Sequence, residues 1–96
     1  MIKHVVMFKF KEDLAQTVID AICEDLAALP DAIETLREFL FGLDVVRSPR
    51  SFDFAIVASF DDVEGLGVYH VHPAHQAVAL KLREASTAVQ AVDFEF

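Results

Sequence analysis

Positions 2–10 alternate strictly: Ile2, His4, Val6, Phe8 and Phe10 fall on one face, Lys3, Val5, Met7 and Lys9 on the other. That period of two predicts a strand. From Glu12 the spacing becomes helical, with Leu14, Val18, Ile22, Leu26 and Leu29 inward and Glu12, Asp13, Gln16, Asp20 and Glu24 outward. Early acids suit a helix N-terminus, and Pro30 is expected to stop the helix. Leu36–Val46 predicts a second strand with Phe39, Phe41 and Leu43 on one side. Gly42 within it suggests a bulge or a close backbone approach. After a turn at Arg47–Ser51, Phe52–Phe60 alternates again. Asp61 and Asp62 then start a short helix reaching about His70. Pro73 suits the first position of a further helix ending near Glu84, because its missing N–H is not needed there. Ala88–Phe96 returns to strand periodicity.

The predicted order is β-α-β-β-α-α-β, a ferredoxin-like α+β plan with helices on one face of an antiparallel sheet. The opposite face is expected to carry Val5, Met7, Ala55, Val57, Val89 and Ala91. Its expected rim is Lys3, Lys9, Asp53, Ser59, Asp93 and Glu95. A single wet face would alternate apolar with polar residues. An apolar centre with a charged rim is the pattern of an interface. The sequence therefore predicts a homodimer formed by two sheets packing through Val5, Met7 and Val57.

Composition sharpens this picture. Ninety-six residues, 54% of them apolar, make one domain spanning 1–96, with more apolar surface than one small core hides. Sixteen acidic against eight basic residues give a net charge of −8, which argues against nucleic acid and anionic membranes as partners. No apolar run approaches bilayer length. The single cysteine, Cys23, lies in the first helical pattern and reads as a structural thiol. The expected compartment is the cytoplasm.

Three of the four histidines, His70, His72 and His75, lie within YHVHPAHQ. Their spacing admits a metal reading, although Pro73 interrupts the set and no nearby Cys or carboxylate pair completes it. They can equally be capping or surface residues. In a third reading His75 sits in the first turn of the Pro73 helix, where the positive dipole end keeps its ring neutral and basic. Tyr69 then offers a hydroxyl from the preceding helix. His4 points to the helix side among Val6, Phe8, Phe52, Phe54 and Phe60. There it is either a hydrogen-bonded core histidine or the wall of a pocket. The nine phenylalanines are mainly core, and a cavity among them would accept a flat apolar ligand.

The opening MIKHVVMFKFK, the stretch FDDVEGLGVYHVHPAHQAV and the terminal VDFEF resemble the stress-responsive A/B barrel (Dabb) family over essentially the whole chain. The resemblance implies a dimeric α+β barrel. In a plant polyketide cyclase of the family the motif's Tyr and last His are catalytic, and these positions match Tyr69 and His75. That resemblance also places His4 at a pocket wall, and Phe54 where the cyclase has His. The expected site is therefore His75 and Tyr69 as candidate catalytic residues, with His4, Phe54 and His72 as ligand contacts. No metal and no cofactor are expected. Three functions follow: binding a small apolar or aromatic molecule between sheet and helices, cofactor-free lyase, cyclase or isomerase chemistry at that place, or a non-catalytic structural role under stress.

Overall fold

A computed structural model describes residues 1–96. Strand β1 (Ile2–Phe10) leads to α1 (Gln16–Ala27) and the short α2 (Leu29–Ala32). Then come β2 (Leu36–Leu43), β3 (Phe54–Phe60), α3 (Val63–Val71), α4 (Pro73–Ala85) and β4 (Ser86–Glu95). The strands form one antiparallel sheet in the order β2-β3-β1-β4, with β1 central against β3 and β4. This is the ferredoxin-like plan expected from the sequence.

Helices cover one sheet face. Ile2, Val6, Phe8, Phe54, Ile56, Ala58 and Phe60 point into the core and meet Ile22, Leu26, Leu29, Leu66, Tyr69, Val78 and Leu82 from the helices. Leu26 and Ile22 are fully buried. Removing such side chains from water stabilises the fold by about 1.5–3 kcal/mol each, which fixes the helix layer over the sheet.

Several boundaries differ from expectation. The first helix begins at Gln16, not Glu12, since the Leu14 N–H turns back to the Lys11 carbonyl at 3.3 Å. Its inward stripe is Ile19, Ile22, Cys23 and Leu26, while Val18 faces solvent. Pro30 lies in the first turn of α2, so it opens a second short helix after α1 has ended. Strand β2 ends at Leu43. Its irregularity falls between Leu36 and Glu38, whereas Gly42 pairs regularly with Ala55 and has open space around it. Phe52 precedes β3. Next to it Asp53 serves the turn: its carboxylate accepts from the Phe10 N–H at 2.7 Å and from Arg47 at 2.7 Å. Burial pushes the Asp53 pKa up, but these two bonds together with the charges of Lys9 and Arg47 outweigh it, and the carboxyl titrates below its ordinary value.

The largest correction concerns β4. Asp93 pairs with His4, Ala91 with Val6, Val89 with Phe8 and Glu95 with Ile2. Directly paired residues share a sheet face. Val89, Ala91, Asp93 and Glu95 therefore lie on the helix side, and Gln90, Val92 and Phe94 take the open face beside Met7, Val5 and Lys3. A shift of one residue reverses every side chain of a strand, and pairing with β1 sets the parity here.

The open face thus carries Val5, Met7, Leu40, Ala55, Val57 and Val92 around its centre. Leu40 is 68% exposed, Val92 59%, Phe94 44% and Met7 41%. Lys3 and Glu38 pair at its margin, 3.4 Å apart. A wide groove of about 600 Å³ opens at the β2–β3 end, lined by Met7, Leu40, Phe54 and Val57 among others.

Candidate functional site

Four aromatic side chains converge where α3 hands over to α4. Asp62 begins α3 by accepting the Gly65 N–H at 2.8 Å, while Asp61 binds Arg37 instead. Helix α3 then delivers Tyr69 and His70 from its last turn. His72 breaks the helix and caps α4: its Nδ1 accepts the Ala74 N–H at 3.1 Å. With Pro73 as the first residue of α4, His75 falls in the first turn. From the sheet, β1 raises His4 beneath them.

The rings of Tyr69 and His75 lie 4.1 Å apart between centroids, those of His4 and Tyr69 6.0 Å, and those of His4 and His70 5.4 Å. Between this cluster and the sheet is an apolar cavity of about 280 Å³, walled by Val6, Phe8, Ile56, Val78, Leu82 and Val89 besides the rings. It matches the lower end of small-molecule sites.

Burial acts on three of the polar groups. His75 Nδ1 lies 3.2 Å from the His70 carbonyl, which can only accept, so Nδ1 carries the proton and the neutral ring keeps a bare lone pair on Nε2. Burial lowers the His75 pKa below its ordinary 6.5; the bond to His70 opposes this, and the charges of His70, His4 and Arg83 add to the lowering. His70 is lowered too, by burial first and His4 second, against the pull of Asp93. Tyr69 is 1% exposed, and burial pushes its pKa up to about 12, so it remains a phenol. No protein group hydrogen-bonds its hydroxyl, yet no fully buried polar side-chain atom lacks a partner, so the oxygen has access to the cavity. His4, 7% exposed, is held at Nδ1 by Asp93.

The structure brings together His4, Tyr69 and His75, three of the five residues singled out in the sequence. His72 does not line the cavity, since its ring is engaged in capping. Phe54 lies deeper along the sheet, 2% exposed, stacked on Phe10 at 5.7 Å and tilted against Phe8 and Phe41 at 6.1 Å. His70, weighed in the sequence only as one of three close histidines, and Asp93, expected on the rim of the open face, also belong to the cluster. His70 is the neighbour of Tyr69 and its carbonyl sets the His75 tautomer. Asp93 arrives through the strand pairing alone. No group of three or more His, Cys, Asp or Glu converges tightly enough to hold a metal ion. Cys23 is half-buried, its pKa raised by burial and then by Asp20, and it lies outside the cluster.

The arrangement supplies a neutral imidazole base, a phenol donor and an apolar wall on one cavity. The stress responsive A/B barrel (Dabb) family model matches residues 2–96. This chain belongs to the Dabb family. An uncharacterised protein of Streptomyces coelicolor is 38% identical to this Dabb chain over the full length of both. The olivetolic acid cyclase of Cannabis sativa is 24% identical over 76 residues, covering 77% of this chain and 75% of its own. Among solved structures, a dimeric ferredoxin-like protein of unknown function from Thermobifida fusca superposes with a TM-score of 0.90. It is 28% identical and covers 99% of this Dabb chain and 90% of its own. No helix is long and apolar enough to cross a membrane.

Proposed function

We propose that this Dabb protein is a cytoplasmic homodimer that binds a small apolar or aromatic molecule in the cavity between sheet and helices. The carrying observation is the 280 Å³ apolar cavity with the unengaged Tyr69 hydroxyl and the bare His75 Nε2 on its wall. Polar atoms left unpaired beside apolar surface cost stability unless something meets them, which is how a binding site differs from plain core. The homodimer reading rests on the apolar open face, with Val5, Met7 and Val57 at its centre and Leu40 beside them on edge strand β2, and on the dimeric Thermobifida fusca neighbour. Native mass spectrometry of the purified protein tests both parts: the dimer mass with a small-molecule adduct is expected, and a bare monomer at micromolar concentration would refute them.

The tautomer of His75 favours a catalytic extension of this reading, in line with the cyclase among its relatives. His75 Nε2 takes a proton from an acidic C–H next to a carbonyl. The electron pair moves onto the carbonyl oxygen, and the Tyr69 O–H hydrogen-bonds the resulting enolate. General bases of this kind contribute about 10²–10⁴-fold. The test is deuterium exchange at the central carbon of benzoylacetone, followed by NMR. Acceleration by the wild type that is lost in His75→Gln and reduced in Tyr69→Phe supports proton abstraction. Equal rates for all three proteins refute it.

A further inference from the structure

The lining of the cavity differs in charge from the chain as a whole, and Asp93 meets it only through its bond to His4. Acidic residues outnumber basic ones sixteen to eight, yet none of the thirteen cavity-lining residues is Asp or Glu. One lining residue, Arg83, carries a permanent positive charge. It is exposed in the last turn of α4, so its head group stands at the opening.

Arg83 is also unclaimed. Arg37 binds Asp61 and Arg47 binds Asp53, each at 2.7–2.8 Å, whereas Arg83 makes no ion pair. Three and four positions before it on α4 stand Leu80 and Ala79, and the helix ends at Ala85, so no carboxylate stands where a helical pair would form. His70 and His75 do not duplicate the Arg83 charge at neutral pH, because burial lowers both below their ordinary 6.5.

We infer that Arg83 is the specificity-determining residue of the cavity and that its ligand is a one- or two-ring apolar molecule bearing a carboxylate, the ring inside and the carboxylate on the guanidinium. The planar fork of Arg matches a carboxylate bidentately. A cavity of about 280 Å³ bounds the apolar part. A freely soluble acid would otherwise be repelled by a chain of net charge −8, so the single cation selects as well as binds. This inference rests on the cavity being the binding site, and the experiment separates the two.

Naphthalene-2-carboxylate and its neutral isostere naphthalene-2-carboxamide are titrated by calorimetry into the wild type, Arg83→Gln and Ala79→Phe. Ala79 lines the cavity, and a phenyl group there fills it. The wild type is expected to bind the acid at least about tenfold more tightly than the amide, the worth of one charge-assisted contact. Arg83→Gln brings the two together by weakening the acid alone, and Ala79→Phe removes both. Equal affinity of acid and amide in the wild type, or a preference that survives Arg83→Gln, overturns the inference while leaving the cavity reading intact. A lower melting temperature for Arg83→Gln with the preference unchanged does the same, and shows Arg83 to be only a partner of the α4 dipole. Absence of binding by both probes, or binding untouched by Ala79→Phe, overturns the cavity reading itself.

Discussion

Leu40 offers the cleanest perturbation of the proposed dimer. It sits at mid-length of edge strand β2, opposite Val57 on the open face, and 68% of its surface is exposed in the single chain. The monomer therefore gains little from it. Full burial of a leucine is worth about 1.5–3 kcal/mol, so the exposed two-thirds has about 1–2 kcal/mol still to gain when a second sheet covers it. Two-fold symmetry places Leu40 in the interface twice, which makes about 2–4 kcal/mol per dimer. Leu40→Thr keeps β-propensity while removing most of that apolar area. The dimer dissociation constant should rise about 30- to 1,000-fold, measured by analytical ultracentrifugation over a concentration series. Circular dichroism of the dilute monomer should be unchanged. A dissociation constant within a factor of three of the wild type would refute an interface on this face, whatever the oligomeric state. Because each copy carries a net charge of −8, added salt should tighten the wild-type dimer by screening repulsion; weakening by salt would point to a charged interface instead.

Other substitutions test the interior. Leu26→Ala, at a fully buried position, should cost about 2–5 kcal/mol in urea unfolding, and a cost under 1 kcal/mol would show that the helix layer is not seated as described. Asp93→Asn removes the partner of His4, and since the carboxylate is 41% exposed the loss should be only about 1 kcal/mol. A larger effect on ligand affinity than on stability would mark Asp93 as positioning His4 for binding. His70 and His75 both titrate below their ordinary value in the folded chain, so the unfolded chain takes up protons first as pH falls. Their contribution to stability is complete above pH 6.5 and declines below it. The urea midpoint of the wild type should therefore drop between pH 7 and about pH 5, and that slope should flatten in His70→Gln/His75→Gln; an unchanged slope refutes the assignment.

The element order was legible because β1, β3 and the two caps state themselves locally. The alternation of Ile2–Phe10 admits one face assignment, and Asp62 and Pro73 each mark a helix start that needs no tertiary information. Helix α1 was less legible, since Leu14 and Val18 fit a helical stripe, but the Lys11–Leu14 turn takes Leu14 out of the helix and Val18 faces solvent. Most of the site was also visible, as the break at His72–Pro73 fixes Tyr69 and His75 on either side of one corner. What stayed hidden lies on β4. Its run Ala88, Val89, Gln90, Ala91, Val92 mixes apolar residues on both parities, so the pattern fits either face equally well. The choice is made by β1, whose pairing shifts between Lys9 and Phe10 and sets Asp93 opposite His4. One residue of slip would turn the carboxylate to the open face and leave a 7%-exposed histidine without its partner. The contact is therefore part of what holds the register: a buried imidazole facing Phe94 in place of Asp93 would lose its hydrogen bond, worth about 1 kcal/mol beside a partly exposed carboxylate. On that argument Asp93 is both a site residue and a register pin. Asp93→Val should loosen β4 as a whole, read as faster amide exchange along Val89–Glu95 with β3 unaffected, whereas uniform exchange in both strands would separate the pair from the register.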